Sequence, residues 1–263
     1  MKFQAFSTIV FALVFSLFAG ISTRVLAIEN ELYFSDDFSR SQINLMRSDL
    51  RYLTDFIPFE PATLESLEIL EIEDFEATSL EDWILERIKY LATPSVLKNT
   101  PFGHQNIPLM ANLSTSLHLA AMELNLDVDF YFKTKSKSVL THFHAEAKPG
   151  MVIVGPNVFK REGMLNPRDQ SGAGNKINRL AMLFHEARHA DEDHSGKLGH
   201  FHMACPEGHD YAGLSACDNS PNGSYAVSAT IIKEMSKNCQ DCSIADRERL
   251  RLRYLDYISR ILD

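Results

Sequence analysis

Two histidines four residues apart, with a glutamate between them, are the side chains of this sequence best suited to metal chemistry. His185 and His189 flank Glu186 in the stretch LAMLFHEARHADEDH. Residues four apart lie side by side on a helix, so two neutral imidazoles placed there can reach one Zn²⁺ at about 2.0–2.1 Å. Glu186 is rotated by about 100° from His185, so it flanks the metal instead of binding it. From that position it could take a proton from a zinc-bound water, whose pKa the metal lowers to about 7.

The elements that must position these residues can be read from periodicity. The helix that carries them is predicted to run from Asn175 to about Ala190, because apolar residues recur there at helical spacing. Upstream, alternating or β-branched runs predict three antiparallel strands in LDVDFYFKT, SVLTHFHAEA and GMVIVGPNVF. Helices are predicted before them, over 40–56 and 80–91, and two more close the chain.

The motif HEARH resembles the His-Glu-x-x-His signature of the zincin metallopeptidases. The resemblance implies an α+β, zincin-like fold. A small antiparallel or mixed sheet would pack on the signature helix, with an N-terminal helical region and C-terminal helices around it. The active cleft would lie under an edge strand that holds an extended substrate. The implied activity is that of a zinc metallopeptidase, in which His185 and His189 bind Zn²⁺ and Glu186 is the catalytic base.

The resemblance does not supply the third zinc ligand. The position where metzincins carry a third histidine is Ser195, and no aspartate follows Glu234 within one helical turn as it does in gluzincins. The loop after the motif offers several histidines, of which His209 is favoured. If Cys205 pairs with Cys217, His209 lies in a closed, stiff loop, where the neighbouring Tyr211 could hydrogen-bond an oxyanion. The alternatives left open are His202, His200, His194 and Glu234, with Asp191 as a residue that could orient a ligating histidine.

Two further groups compete with these assignments. Within GHDY, His209 could belong to an ordinary tight turn. His142, His144 and Glu146 share one face of a predicted strand and could form a separate metal site, line the cleft or face solvent.

The first 27 residues have the pattern of a cleavable signal peptide: an early Lys2, a long apolar run and Val25-Leu26-Ala27 at its end. We therefore expect a secreted or periplasmic protein with no stable membrane span after cleavage. Residues 28–95 would form a helical region, either a pro-segment or a packed lobe, and residues 96–263 the catalytic domain. In the oxidising environment of an exported chain, the four cysteines favour disulfides over a four-cysteine zinc site, and among the three possible pairings proximity favours Cys205–Cys217 and Cys239–Cys242.

Composition limits the partners. The formal net charge is −9 and the mature chain would be more acidic still, which argues against nucleic acid as a ligand. A peptide, a protein or cell-wall material is the expected substrate. Two alternatives remain: a disulfide-stapled envelope or secreted binding protein with a structural zinc, and a zinc amidase or deacetylase that acts on cell-wall material. The sequence determines neither substrate specificity nor oligomeric state.

Overall fold

The computed structural model describes residues 32–54, 66–71, 80–95, 116–119, 129–133, 140–144, 150–160, 165–189 and 202–262. For 116–119, 129–133, 140–144 and 150–151 the description is of the backbone alone. The predicted signal peptide, Glu146 and the stretch with Asp191, His194 and His200 lie outside the described residues. The described part mixes α-helices with small β-sheets, which confirms the α+β class.

Five α-helices are the longest elements of the described structure. They are α1 (Arg40–Thr54), α2 (Leu80–Arg87), α3 (Ala173–Arg188), α4 (Ser224–Asn238) and α5 (Ile244–Ser259). Short 3₁₀ turns occur at Leu67–Leu70 and Pro156–Val158. The N-terminus of α5 is a capping box, in which Ser243 accepts the backbone N–H of Asp246 and the Asp246 side chain accepts the N–H of Ser243.

A four-stranded mixed sheet lies beside these helices. Its order is β1 (Tyr33–Phe34), β2 (Ile88–Ala92), β6 (Gly150–Val154) and β3 (Ser116–Leu119). The first two pairings are parallel, and β3 runs antiparallel to β6 at the end of the sheet. Since β3 also lies against α3, the sheet and the motif helix are neighbours.

The predicted strands pair differently from the expectation. β4 (Asp129–Lys133) and β5 (Leu140–His144) form an antiparallel pair as predicted, but β6 pairs with β2 and β3 instead of β5. The helix predicted over 80–91 ends at Arg87, and residues 88–92 form β2. Ile88, Leu91 and Ala92 are fully buried beside β6, so sheet pairing overrides the local helical pattern.

Helix α3 is at the centre of the hydrophobic core. Its buried side chains include Leu180, Leu183 and Phe184, and the indole of Trp83 from α2 stacks on Phe184 at 5.4 Å between ring centroids. The described parts of residues 28–95 therefore share one core with the motif helix. On another face, the Arg179 guanidinium makes two hydrogen bonds to the carboxylate of Asp49 in α1, at 2.6 and 3.0 Å.

Both preferred disulfides are confirmed. Cys205–Cys217 joins the segments that form the two-stranded sheet β7 (Met203–Ala204) and β8 (Ser215–Cys217), and Cys239–Cys242 follows α4. Two disulfides are typical of an oxidising environment. None of the helices within the described ranges has the length and apolar character needed to cross a membrane.

Candidate metal centre

Three histidines converge at the end of α3. His185, His189 and His202 each bring one ring nitrogen into a group whose members lie within 4.8 Å of one another. The Nε2 atoms of His185 and His202 are 3.0 Å apart. Two nitrogens bound to one tetrahedral Zn²⁺ at 2.0–2.1 Å would be about 3.3 Å apart, so this spacing is close to that of ligands on a shared ion.

Helix α3 supplies two of the three rings. His185 lies in its last turn and His189 is its C-cap residue, with ring centroids 5.0 Å apart. The core residues Phe184 and Ala187 are fully buried, which fixes the rotation of the helix and directs the histidine pair to the side facing α4.

Helix α4 presents two serines at the same four-residue spacing as the histidines. The Oγ of Ser228 lies 3.3 Å from Nδ1 of His185, and the Oγ of Ser224 lies 3.3 Å from Nδ1 of His189. The Ser228 hydroxyl donates its proton to the carbonyl of Ala181 at 3.0 Å. It can therefore accept the Nδ1–H of His185, which leaves the Nε2 lone pair of that ring free for a metal.

Asp218 orients the third ring. Its Oδ1 accepts the Nδ1–H of His202 at 2.7 Å, and its Oδ2 accepts the backbone N–H of Tyr225 in the first turn of α4 at 2.7 Å. One carboxylate thus orients the His202 ring and caps the helix that carries the serines. A Cβ at Gly223 would lie 2.3 Å from Oδ2 of Asp218, so only glycine leaves room for this approach.

Tyr225 forms a wall of the site. Its ring stacks on His202 at 4.6 Å and meets the edge of His185 at 4.7 Å between centroids. The phenol oxygen accepts a hydrogen bond from Nη1 of Arg260 at 2.9 Å. Burial raises the pKa of Tyr225 to about 12, so the phenol is neutral and serves to pack the two imidazoles.

Glu186 is 5% exposed and follows His185 on α3. It lies close enough to Tyr257 of α5 to affect its ionisation. Burial raises the pKa of the Tyr257 phenol, and the negative charge of Glu186 adds to that rise. Tyr257 in turn contacts Tyr225 at 5.6 Å between ring centroids, so the Glu186 carboxylate is adjacent to the layer of tyrosines that packs on the histidines.

His209, favoured by the sequence analysis as third ligand, belongs to a different group, with Cys205 and Cys217. Its Nδ1 accepts the backbone N–H of Tyr211 at 3.0 Å, and its Nε2 donates to the carbonyl of Ser259 at 2.7 Å. Both ring nitrogens are therefore occupied by backbone groups, and the two cysteines are joined in a disulfide and offer no thiolate. The residue that joins the α3 pair is His202, one of the alternatives.

The other candidates also take up distinct positions. Tyr211 donates its hydroxyl proton to Asp256 at 2.7 Å, so this proton is already used and does not point at an oxyanion. Glu234 is buried on α4 with its carboxylate 3.7 Å from Nζ of Lys237, and it is not part of the histidine group. His142 and His144 lie on β5, where the description stops at the backbone.

Sequence reasoning missed four residues that hold the site together. Ser224, Tyr225 and Ser228 were assigned to a closing helix and Asp218 to a loop, with no role at the site. The spacing of Ser224 and Ser228 was a usable signal, because two polar residues four apart on one helix can complement two histidines four apart on another.

In comparisons with known proteins, no family model matches this chain, and neither a curated protein nor a solved structure is similar to it. What the site can do therefore has to be inferred from its own chemistry. Three neutral imidazoles suit Zn²⁺ and the other imidazole-binding divalent ions of the first transition row.

Proposed function

We propose that this protein is an exported zinc-dependent hydrolase of the zincin type, most simply a peptidase. In this proposal His185, His189 and His202 hold the ion and Glu186 is the catalytic base. The observation that carries it is the convergence of three imidazoles, each oriented through Nδ1, beside a buried glutamate.

The set of donors fits zinc. Catalytic zinc sites take three protein ligands and leave one position to water or substrate, and the described residues provide three such ligands. In zinc sites, the ring nitrogen of a ligating histidine that does not bind the metal usually forms a hydrogen bond. This bond fixes the tautomer and the orientation of the ring. When bound, zinc would polarise a substrate carbonyl and make water a stronger nucleophile.

The residues of the chain itself would handle the protons. Glu186, adjacent to His185 and nearly excluded from solvent, can accept a proton from the attacking water and pass it to the leaving amine. Tyr225 and Asp218 keep the imidazoles from turning, so the ligand nitrogens stay directed at one point.

The sheet supports a peptide as substrate. β3 ends the described four-stranded sheet, runs antiparallel to its neighbour β6, and lies against α3. An extended peptide can pair with such an edge through main-chain hydrogen bonds, and there it would lie next to the helix that carries Glu186. Export is supported by the two disulfides and by the signal-like pattern of the first residues.

Metal analysis and an activity screen of the purified protein test the proposal. We expect about one zinc per chain, hydrolysis of a peptide library, and retention of zinc but an approximately 10²–10⁴-fold loss of turnover in Glu186→Gln. Glu207→Gln, at an exposed position, is the matched control and should keep full activity.

Three outcomes separate the alternatives. Cleavage of cell-wall fragments with no cleavage of peptides would replace the peptidase by an amidase or deacetylase. Stoichiometric zinc with no hydrolysis of either class would support a binding protein with a structural zinc. Absence of zinc from protein offered the ion would overturn the proposal.

A further inference from the structure

The last described residues form hydrogen bonds with Asp218, the residue that orients His202. After α5, residues 260–262 run beside Asp218 and form a parallel β-bridge with it. The backbone N–H of Asp218 donates to the carbonyl of Arg260 at 2.8 Å, and the N–H of Leu262 donates to the carbonyl of Asp218 at 2.9 Å. We call residues 256–262 the C-terminal latch.

The side chain of Arg260 ties the same segment to the wall of the site. Its Nη1 donates to the hydroxyl of Tyr225 at 2.9 Å, and its Nη2 donates to both carboxylate oxygens of Asp256 at 3.2 and 3.1 Å. The guanidinium carbon also lies over the ring of Tyr211 at 3.8 Å and over that of Tyr225 at 4.8 Å. Arg260 therefore connects α5 to a ring that packs on two of the metal-site histidines.

The loop closed by Cys205–Cys217 is held by the latch as well. His209 donates to the carbonyl of Ser259, and Tyr211 donates to Asp256. This loop separates β7, just after His202, from β8, just before Asp218. The latch thus contacts the loop at its middle and Asp218 at its end.

We propose that the C-terminal latch is the positioning element of the third metal ligand, acting on His202 through Asp218. The inference rests on the proposed metal site. His185 lies in the last turn of α3 and His189 is its C-cap, whereas His202 lies just before the short strand β7 and its ring is hydrogen-bonded to Asp218. Arg260 and Leu262 act through Tyr225 and Asp218, so they are positioning residues.

Two variants of the full chain each remove different contacts of the latch. Arg260→Met deletes the hydrogen bonds to Tyr225 and Asp256 and keeps the side chain long and apolar. Leu262→Pro removes the N–H that bonds to the carbonyl of Asp218, without a change of charge. Arg251→Met, on an exposed stretch of α5, is the control for loss of a positive charge.

Zinc affinity, measured by competition with a chelator, is the first readout. Loss of an outer partner of a ligating histidine typically weakens metal binding about 10–100-fold, and we expect that loss for Arg260→Met and Leu262→Pro but not for Arg251→Met. The visible spectrum of the Co²⁺-loaded protein should change in the same two variants, because one nitrogen ligand is lost. Unchanged affinity and spectrum in both folded variants would overturn the proposal.

A measurement on the metal-free protein tests the role of the latch separately from the proposed function. In apoprotein labelled with ¹⁵N-histidine, the Nδ1–H of His202 bonded to Asp218 should give a distinct ring resonance. We expect both latch variants to lose it and Arg251→Met to retain it. If the wild type takes up no zinc, the proposed function fails, and the latch is still supported or overturned by whether this resonance depends on Arg260 and Leu262.

Discussion

At the residue scale, the carboxylate of Asp218 accepts two hydrogen bonds, and both require its oxygen atoms to keep their positions. One oxygen accepts the Nδ1–H of His202 and the other accepts the N–H of Tyr225. Gly223 makes this arrangement sterically feasible, since its missing Cβ leaves space that the Asp218 carboxylate occupies. The position of the His202 ring thus depends on the absence of a side chain at Gly223.

Gly223→Ala should therefore weaken metal binding without removing any polar group. The new methyl would meet Oδ2 of Asp218 at 2.3 Å, so the carboxylate must move and His202 turns with it. We expect a zinc dissociation constant roughly 10-fold higher or more, measured by chelator competition.

Gly172→Ala is a closely matched control. Gly172 is the N-cap of α3, as Gly223 is the N-cap of α4, and its Cβ would lie 2.5 Å from Oδ2 of Asp169. Asp169 is exposed and contacts no histidine of the site, so zinc affinity should not change. Equal losses in the two variants would mean that the effect is general destabilisation and not displacement of Asp218.

Local spacing predicted part of the site and could not predict the rest. His185 and Glu186 lie at the end of α3 and His189 is its C-cap, so their relative positions follow from local helical spacing. His202 joins them across a loop, and whether His202 or His209 does so depends on contacts with Ser259 and Asp218 that are distant along the chain. No periodicity encodes those contacts.

At the scale of elements, the site combines side chains from two helices with side chains that flank the small antiparallel sheet β7–β8. Helices α3 and α4 provide two histidines and two serines from regular structure, while His202 and Asp218 flank a short sheet, His202 just before β7 and Asp218 just after β8. A two-stranded sheet this small is marginal by itself. The Cys205–Cys217 disulfide links its two segments, and we expect it to help hold His202 and Asp218 in place.

Replacing Cys205 and Cys217 by serine should lower both stability and metal affinity. The disulfide spans 12 residues, for which loop entropy gives about 3 kcal/mol of stabilisation. Unfolding in urea would report the stability, and chelator competition the zinc affinity. Serine replacements of Cys239 and Cys242, which span 3 residues at the end of α4, should cost less stability and leave zinc affinity unchanged. Equal zinc affinity in both double variants would contradict this role of the Cys205–Cys217 pair.

The elements differ in how far the sequence predicted them. Helices α1, α3, α4 and α5 were predicted, because each has an amphipathic period of its own. The β4–β5 pair also followed from local alternation. The pairing of β6 with β2 did not, since it joins residues about sixty positions apart and turns the end of a predicted helix into a buried strand.

The whole molecule organises its core around α3. The Asp49–Arg179 pair, buried on both sides, joins this helix to α1, and Arg188 joins it to Glu71 and to the carbonyl of Asn222 in the loop before α4. The ligands of the proposed metal come from two places in the chain: His185 and His189 from the end of α3, and His202 from the position just before β7. They come together only when the chain is folded, so metal binding and folding must be coupled.

Zinc should therefore stabilise the protein against unfolding. At about 100 times its dissociation constant, an ion that binds only the folded state adds about 2.7 kcal/mol to the free energy of unfolding. For a chain of this size that is a rise in Tm of roughly 5–10 °C, measurable by calorimetry with and without zinc. His185→Ala, His189→Ala and His202→Ala should each abolish most of the rise. His209→Ala should lower Tm in both conditions, because it loses its bond to Ser259, and yet preserve the zinc-dependent rise. A rise that survives His202→Ala and disappears in His209→Ala would assign the third ligand to His209 and reject the site described above.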